Sequence, residues 1–239
     1  MKKLGIIGGA SWSSTALYYD QINRGIAARL GGLHSARLVI ESFDFEDDYA
    51  SFHRSGDWAG ATEVVIAAAR RLSQAGAQGL LLASNTMHKS YDEVAAAVNL
   101  PIVHIGDPTA DKLVADGRRK VALLGTRFTM NESFLRQRYE SRGIQLAPID
   151  PLWVQEVDRI IYEELAGGRV VRDSQRKLKT LITELGKQKV QAIVLGCTEL
   201  GLAVDTRANV LPVYDTTALH ARAAVEWMLS EEESARAAA

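Results

Sequence analysis

The chain has 239 residues, 47% of them hydrophobic and 24% charged, with 28 basic and 29 acidic side chains and a formal net charge of -1. That length accommodates one large domain or two small ones with real cores, and the near-balanced charge leaves no basic stripe, which excludes nucleic acid as a default partner. Its apolar runs fall short of the ~18 residues a membrane span needs, and its one cysteine cannot close an internal disulfide, so a soluble, cytoplasmic protein with no membrane partner is expected.

From the N-terminus, LGIIGG at 4–9 is a short apolar run closed by glycines and reads as a strand, with a helix expected over 14–30. ARLVIES at 36–42 is the next strand. SFHRSGDW follows at 51–58, a polar stretch placed to close over a cleft, and then a helix over 57–75. GLLLAS at 79–84 leads to a helix over 89–98, and PIVHIG at 101–106 to one over 108–116. KVALLG at 120–125 precedes a helix over 131–142, and IQLAPID at 144–150 one over 153–166. A helix over 172–187, the strands AIVLGC at 192–197 and VLPVYD at 210–215, and a helix over 216–229 complete the chain. Strands that are apolar at consecutive positions are covered on both faces, and their alternation with helices predicts an α/β fold with parallel sheets.

The pieces recur in order. Gly8 and Gly125 lie 117 residues apart, Ser84 and Cys197 113, and Leu100 and Leu211 111. Three similar offsets predict a duplicated half, with the first half over 1–106 plus 211–239 and the second over 107–210. Ligands of open α/β sheets sit beyond the carboxyl ends of the strands. Ser84 and Cys197 therefore occupy matching positions, and halves facing each other about a pseudo-dyad would bring them to one cleft.

Cys197 ends a buried strand at the start of a helix. A helix N-terminus favours the thiolate, so a depressed pKa is expected, although a free cysteine also packs well as a small hydrophobe. After Ser84, Asn85 and Thr86 offer amide and hydroxyl donors suited to a carboxylate. Thr198 offers the same after Cys197, and Glu199 either holds an ammonium group or caps its helix. GGASWSST places Ser11 at the first strand end, and GTRFTM places Thr126, Arg127 and Thr129 at its counterpart. Each of these also suits ordinary turn and cap chemistry. Neither loop has the spacing of a dinucleotide or P-loop fingerprint, and no Cys/His cluster has zinc spacing. His88 and Lys89, one turn beyond Ser84, read as a solvated helix start.

GIIGGASWSST, SNTMHK, GTRFTM and LGCTELG, in this order and spacing, resemble the aspartate/glutamate racemase superfamily. The likeness spans roughly residues 2–230 and is to the aspartate racemase branch, which includes broad-specificity amino-acid racemases. It implies two Rossmann-like α/β halves, each with a parallel sheet covered by helices and related by a pseudo-two-fold axis. It also implies a cofactor-independent, pyridoxal-phosphate-free racemase with no metal, acting on a small amino-acid substrate, aspartate or a broader set, as a homodimer. In the family two side chains flank the substrate α-carbon, one removing a proton and the other supplying one on the opposite face. Cys197 matches the second of these. Ser84 stands at the first, where many relatives carry Cys and some Thr. Ala166 stands where relatives acting on aspartate often carry Lys. Phe52 or His53 matches a substrate contact. One thiol opposite a hydroxyl also suits two sister activities, a Cys-dependent malonate decarboxylase or a maleate-type isomerase, and a binding protein whose catalytic pair has decayed.

Overall fold

The computed structural model describes residues 1–205 and 209–237, with backbone alone at 53 and 231–237. In chain order its principal elements are β1 (Leu4–Gly8), α1 (Trp12–Leu30), β2 (Leu38–Ser42), α2 (Ser51–Ser55), α3 (Trp58–Gln74), β3 (Gly79–Leu82), α4 (Tyr91–Ala97), β4 (Ile102–Val103) and α5 (Gly106–Ala115). There follow β5 (Lys120–Gly125), α6 (Arg127–Asn131), α7 (Ser133–Glu140), β6 (Gln145–Leu146), α8 (Pro151–Arg159), α9 (Arg172–Lys187), β7 (Ala192–Gly196), α10 (Leu200–Ala203), β8 (Val213–Asp215) and α11 (Thr216–Ala237).

The strands form two parallel four-stranded sheets, ordered β2-β1-β3-β4 and β6-β5-β7-β8. The expected fold class is borne out, and each expected strand is present. Every residue of β1, β3 and β7 is buried, as befits parallel strands covered by helices on both faces. The outer strands are shorter than their apolar runs suggested: β4 and β6 have two residues each. They pair along one edge only, and the chain after β4 turns directly into α5.

By its internal contacts the chain divides into two units, Met1–His104 together with the chain from His220 onward, and Ile105–Leu219. The second boundary corrects the expected one at 210/211. β8 hydrogen-bonds to β7, with Val194 opposite Tyr214, so the chain leaves the second unit only after that strand and the first turn of α11.

Each unit has its own core, split by the pleat. In the first, Ile7, Leu80 and Leu82 pack with Val65, Leu72 and Val94. Leu4, Ile6 and Leu81 point the other way, onto Tyr18, Ile22 and Ile26 of α1 and Ala221, Ala224, Val225 and Met228 of α11. In the second, Ala122, Leu124, Ile193, Leu195 and Cys197 share one face with α8 and α9, and Val121, Leu123, Ala192 and Val194 share the other. Alternation with period two is what a strand imposes. It puts the thiol on the face of Ile193 and Leu195.

Helix starts follow local chemistry. Asp57 caps α3 by accepting from Gly60 N at 2.9 Å, and Asp150 with Pro151 at the first helical position opens α8. In α9, Leu178, Leu181, Ile182 and Leu185 are buried at helical spacing. Two segments differ from expectation. Residues Phe45–Ala50 form a wide π-type turn that runs into α2. The aromatic residues 45, 49 and 52 recur at helical spacing, and Phe45, Tyr49 and Phe52 join the core of the first unit; of the stretch at 51–58 expected to close over a cleft, Phe52 and Trp58 pack against that core. Beyond Arg159 the expected long helix widens at Ile160–Glu164 and tightens at Leu165–Gly167 before Gly168 stops it in a left-handed conformation. Among the described residues no helix is long and apolar enough to cross a membrane.

Candidate active site

In each sheet the chain leaves the second strand in the order toward one edge and the third toward the other, so the crevice of each unit lies beyond the carboxyl ends of β1 and β3, and of β5 and β7. In the first unit Gly9 makes the turn out of β1 with φ of 91°. A Cβ there would overlap the Phe43 backbone, so only glycine fits. Gly9 N donates to Thr15 Oγ1 at 2.9 Å, and that hydroxyl donates on to Ser11 O at 3.1 Å. Ser11 is the N-cap of α1; its Oγ accepts from Ser14 N at 3.4 Å and lies 2.8 Å from Ser13 Oγ. The predicted contact residue is therefore also a structural cap.

Ser84 lies two residues past β3, half-buried, at the head of a 3-10 turn over Thr86–Ser90. Met87 N approaches its Oγ at 3.5 Å, a long contact that leaves the hydroxyl nearly unrestrained. Asn85 and Thr86 beside it are buried. The turn is not the solvated helix start expected of His88 and Lys89. His88 is 2% exposed, and its Nδ1 donates to Ser84 O at 2.8 Å. A carbonyl only accepts, so Nδ1 carries the ring proton. Lys89 lies over the Trp58 ring, 4.1 Å from its centroid. Phe52 packs its ring against Gly60 at the start of α3. The side chain of His53 lies outside the described residues.

Beneath Ser84 three histidines meet. His88 and His104 have ring centroids 4.6 Å apart, and His88 and His220 5.7 Å. His220 Nε2 donates to Val103 O at 2.8 Å, so its Nδ1 accepts the Tyr18 hydroxyl, also at 2.8 Å. Both ring nitrogens are thereby satisfied in the neutral form, and burial pushes the His220 pKa down to about 4. A histidine titrating lower in the folded than in the unfolded state, where it titrates near ~6.5, stabilises the fold above that value and loses its contribution as pH falls toward the folded pKa. Stability is expected to decline between about pH 6.5 and about 4, by up to about 3 kcal/mol from this residue. Urea unfolding at both ends of that window checks it. His220→Phe should flatten the decline, and an unchanged pH slope in that variant would refute the assignment.

In the second unit the ends of β5 and β7 meet at a glycine pair, Gly125 opposite Gly196. A Cβ on Gly125 would come 2.6 Å from Gly196 O and 2.9 Å from Thr129 Cγ2, so the pair lets α6 close onto the strand ends just before Cys197. Thr126 is buried and caps α6, accepting from Thr129 N at 3.3 Å. Arg127 turns to Asp158 of α8: its N–H donates to Oδ1 at 2.7 Å and its guanidinium to Oδ2 at 3.1 Å. Of the loop expected to bind anions, Arg127 and the Thr129 amide are thus engaged within the protein.

Cys197 is 8% exposed, as is Glu199. The thiol donates to Glu199 Oε2 at 3.0 Å, and Thr198 Oγ1 donates to the same oxygen at 2.5 Å. Burial, and then the Glu199 charge, push the thiol pKa well above its ordinary value; the Glu199 and Leu200 backbone N–H groups oppose this without prevailing. The expected depression is therefore corrected. Its premise was a helix dipole, but α10 has only four residues, too few to sum one, and the nearest charge is negative. Asp215, at the end of β8, accepts from Thr217 N at 2.9 Å. Asp107 instead pairs with Arg138 and Arg142.

The residues that sequence reasoning passed over are His104, His220, Tyr18 and Asp158. The histidines looked scattered, and only the sheet order and the return of α11 bring them together.

Three comparisons bear on this arrangement. The Asp/Glu/hydantoin racemase family model matches residues 7–224. The broad-specificity amino-acid racemase RacX of Bacillus subtilis (strain 168) is 26% identical over 168 residues, covering 70% of this chain and 72% of that one. Among solved structures, an aspartate racemase homologue from Pyrococcus horikoshii superposes with a TM-score of 0.79 at 33% identity, over 95% of this chain and 99% of its own. A Yersinia pestis protein provisionally assigned to the Asp/Glu racemases gives 0.88 at 43% identity, over 96% and 100%.

Proposed function

The chain belongs to the Asp/Glu/hydantoin racemase family, and from that membership we propose that it interconverts L- and D-amino acids, aspartate or a broader set, by proton transfer at the α-carbon without a cofactor. One observation carries the reading. Ser84 and Cys197 stand at corresponding crevices of two sheets with the same strand order, each followed by polar residues, the buried Asn85 and Thr86 in one unit and the half-buried Thr198 and buried Glu199 in the other.

The reaction requires these two side chains on opposite faces of one substrate. An amino-acid α-proton is very weakly acidic, so its removal needs donors on the substrate carboxylate and a dry, preorganised site. Asn85, Thr86 and Thr126 are the proposed donors, with Ser11 and the Phe52–His53 segment at the entrance. Cys197 takes or gives the proton on one face, and the Ser84 hydroxyl serves the other. A hydroxyl protonates a carbanion readily, but its alkoxide is scarcely populated near neutrality. Because the enantiomers are equal in free energy, kcat/KM must be equal in both directions, so a weak base on one side slows both. The protein is proposed to work in the cytoplasm as a homodimer.

The test is to incubate the protein with a panel of L-amino acids in deuterated water, scoring α-deuteration by NMR and the D-isomer by chiral chromatography. Both are expected to appear together for at least one amino acid. Release of CO2 from an aryl malonate with no deuteration of any amino acid would overturn the reading in favour of a decarboxylase. Ligand binding without exchange would make it a binding protein.

A further inference from the structure

We propose that His88 is the positioning residue for Ser84: its ring tethers the main chain of the 3-10 turn, and the tether sets where the Ser84 hydroxyl stands on its face of the substrate. This rests on the racemase reading and adds to it a residue that never meets the α-carbon.

The Ser84 hydroxyl has little of its own to hold it. Met87 N approaches Oγ at 3.5 Å, too long a contact to fix a rotamer firmly. The position of the hydroxyl therefore follows from the main chain at residue 84. The strand ladder stops short of it. β3 pairs with β4 as far as Leu81 opposite Val103, and on the other side Ala83 N donates to Ile7 O at 2.8 Å. In an α-helix the His88 amide would take the carbonyl four residues back, which is that of Ser84. The 3-10 winding sends this amide to Asn85 O instead, at 3.1 Å. The ring of the same residue takes the Ser84 carbonyl, Nδ1 donating at 2.8 Å.

A tether holds only if its own anchor is fixed. The His88 ring is buried and meets three other rings. Tyr91, the first residue of α4, lies nearly parallel to it at a centroid distance of 6.3 Å. His104, just past β4, meets it at 4.6 Å and 67°, and His220 of α11 meets it at 5.7 Å. His220 is itself held, since Nε2 donates to Val103 O and Nδ1 accepts from Tyr18. The two imidazoles thus grip main-chain carbonyls at the ends of neighbouring strands, His88 beyond β3 and His220 at the last residue of β4, with opposite ring nitrogens protonated. Close-packed rings leave the His88 imidazole little room to swing. A reacting group misplaced by about 1 Å can lose about 100-fold in rate, so slack in this turn would fall on the chemistry of Ser84.

Asparagine places an amide nitrogen where histidine has Nδ1, and glutamine places one where it has Nε2. The two substitutions therefore keep and remove the tether at similar size. Two rates are read at saturating substrate in deuterated water. Formation of the opposite enantiomer needs Ser84, whereas same-face α-deuteration of the enantiomer facing Cys197 does not. His88→Gln should lower kcat for inversion about 100-fold while same-face exchange stays within about threefold of the wild type, and His88→Asn should recover inversion to within about fivefold. Any change in KM, arising through Asn85 and Thr86 on the same turn, should be common to both reactions. A histidine that only filled the core would lower both rates together and tolerate asparagine no better than glutamine. Either result overturns the proposal, as does undiminished inversion in His88→Gln. If the glutamine variant does not fold, His104→Ala removes one of the rings around His88 and carries the same comparison. Inversion should then fall about tenfold against unchanged exchange, and unchanged or parallel rates would count against the tether. Absence of α-deuteration in the wild type would sink the racemase reading alone. Amide hydrogen exchange over residues 85–88 would still decide the tether. Exchange faster in His88→Gln and near wild type in His88→Asn supports it, and equal exchange in the two variants refutes it.

Discussion

Cys197→Ala is expected to lower kcat/KM for racemisation about 1000-fold or more, equivalent to about 4 kcal/mol of transition-state stabilisation. On the proposed mechanism the substitution removes the group that exchanges a proton on one face of the α-carbon, and Ser84 is proposed to serve only the other. The substitution itself is mild. The side chain is small and sits at the edge of its cluster, so the variant should fold with a modest loss of stability, which circular dichroism and urea unfolding would verify. Cys197→Ser should be nearly as damaging, because a hydroxyl next to the Glu199 carboxylate ionises still less readily than the thiol. α-Deuteration should fail together with formation of the D-isomer. Undiminished activity in Cys197→Ala would refute the mechanism outright.

Changes at Ser84 should separate exchange from inversion. With Ser84→Ala, Cys197 can still remove the α-hydrogen presented to it and return a deuteron to the same face. One enantiomer should therefore keep exchanging with solvent while interconversion drops about 100-fold or more. The wild type should already show a milder form of this asymmetry, with the enantiomer facing Cys197 deuterating faster. Ser84→Cys should raise racemisation, because a thiol is far the more acidic group and supplies a workable base. Its surroundings are permissive: among the described residues Ser84 Oγ has only the long approach of Met87 N to lose, and His88 holds the residue through its backbone carbonyl, which the substitution leaves in place. Equal deuteration rates from the two pure enantiomers in Ser84→Ala would show that another group serves that face.

Much of the fold was legible because parallel strands announce themselves. Runs such as Leu80–Leu82 and Ile193–Leu195 are apolar at consecutive positions, which only a doubly covered strand explains. The duplication could be read from the offsets of Gly8, Ser84 and Leu100 because like strands end in like turns, and β1, β3 and β4 do correspond to β5, β7 and β8 in sheet order. What escaped was set by partners distant in sequence or by the fine geometry of turns. Cys197 and Glu199 are two residues apart, a spacing at which helical side chains diverge. They converge here because the chain is in a tight turn ahead of a one-turn helix. Burial first, and then the carboxylate so placed, push the thiol's pKa up. Likewise, His88, His104 and His220 fall on three separate elements, and no local pattern foretold that β4 and the start of α11 would seat them under Ser84. The aromatic spacing of residues 45–52 was visible but masked by the acidic and hydroxyl residues between.

The route of the chain also bears on how the protein is made. The second unit is continuous, whereas the first is closed by α11, whose Ala221, Ala224, Val225 and Met228 cover the sheet face bearing Leu4, Ile6 and Leu81. On the ribosome, the strands synthesised first must wait with that face incompletely covered while the whole intervening unit emerges. The half begun first is completed last. A chain released before α11 would carry a finished C-terminal sheet and an N-terminal one still presenting apolar surface, the kind of nascent species that chaperones retain.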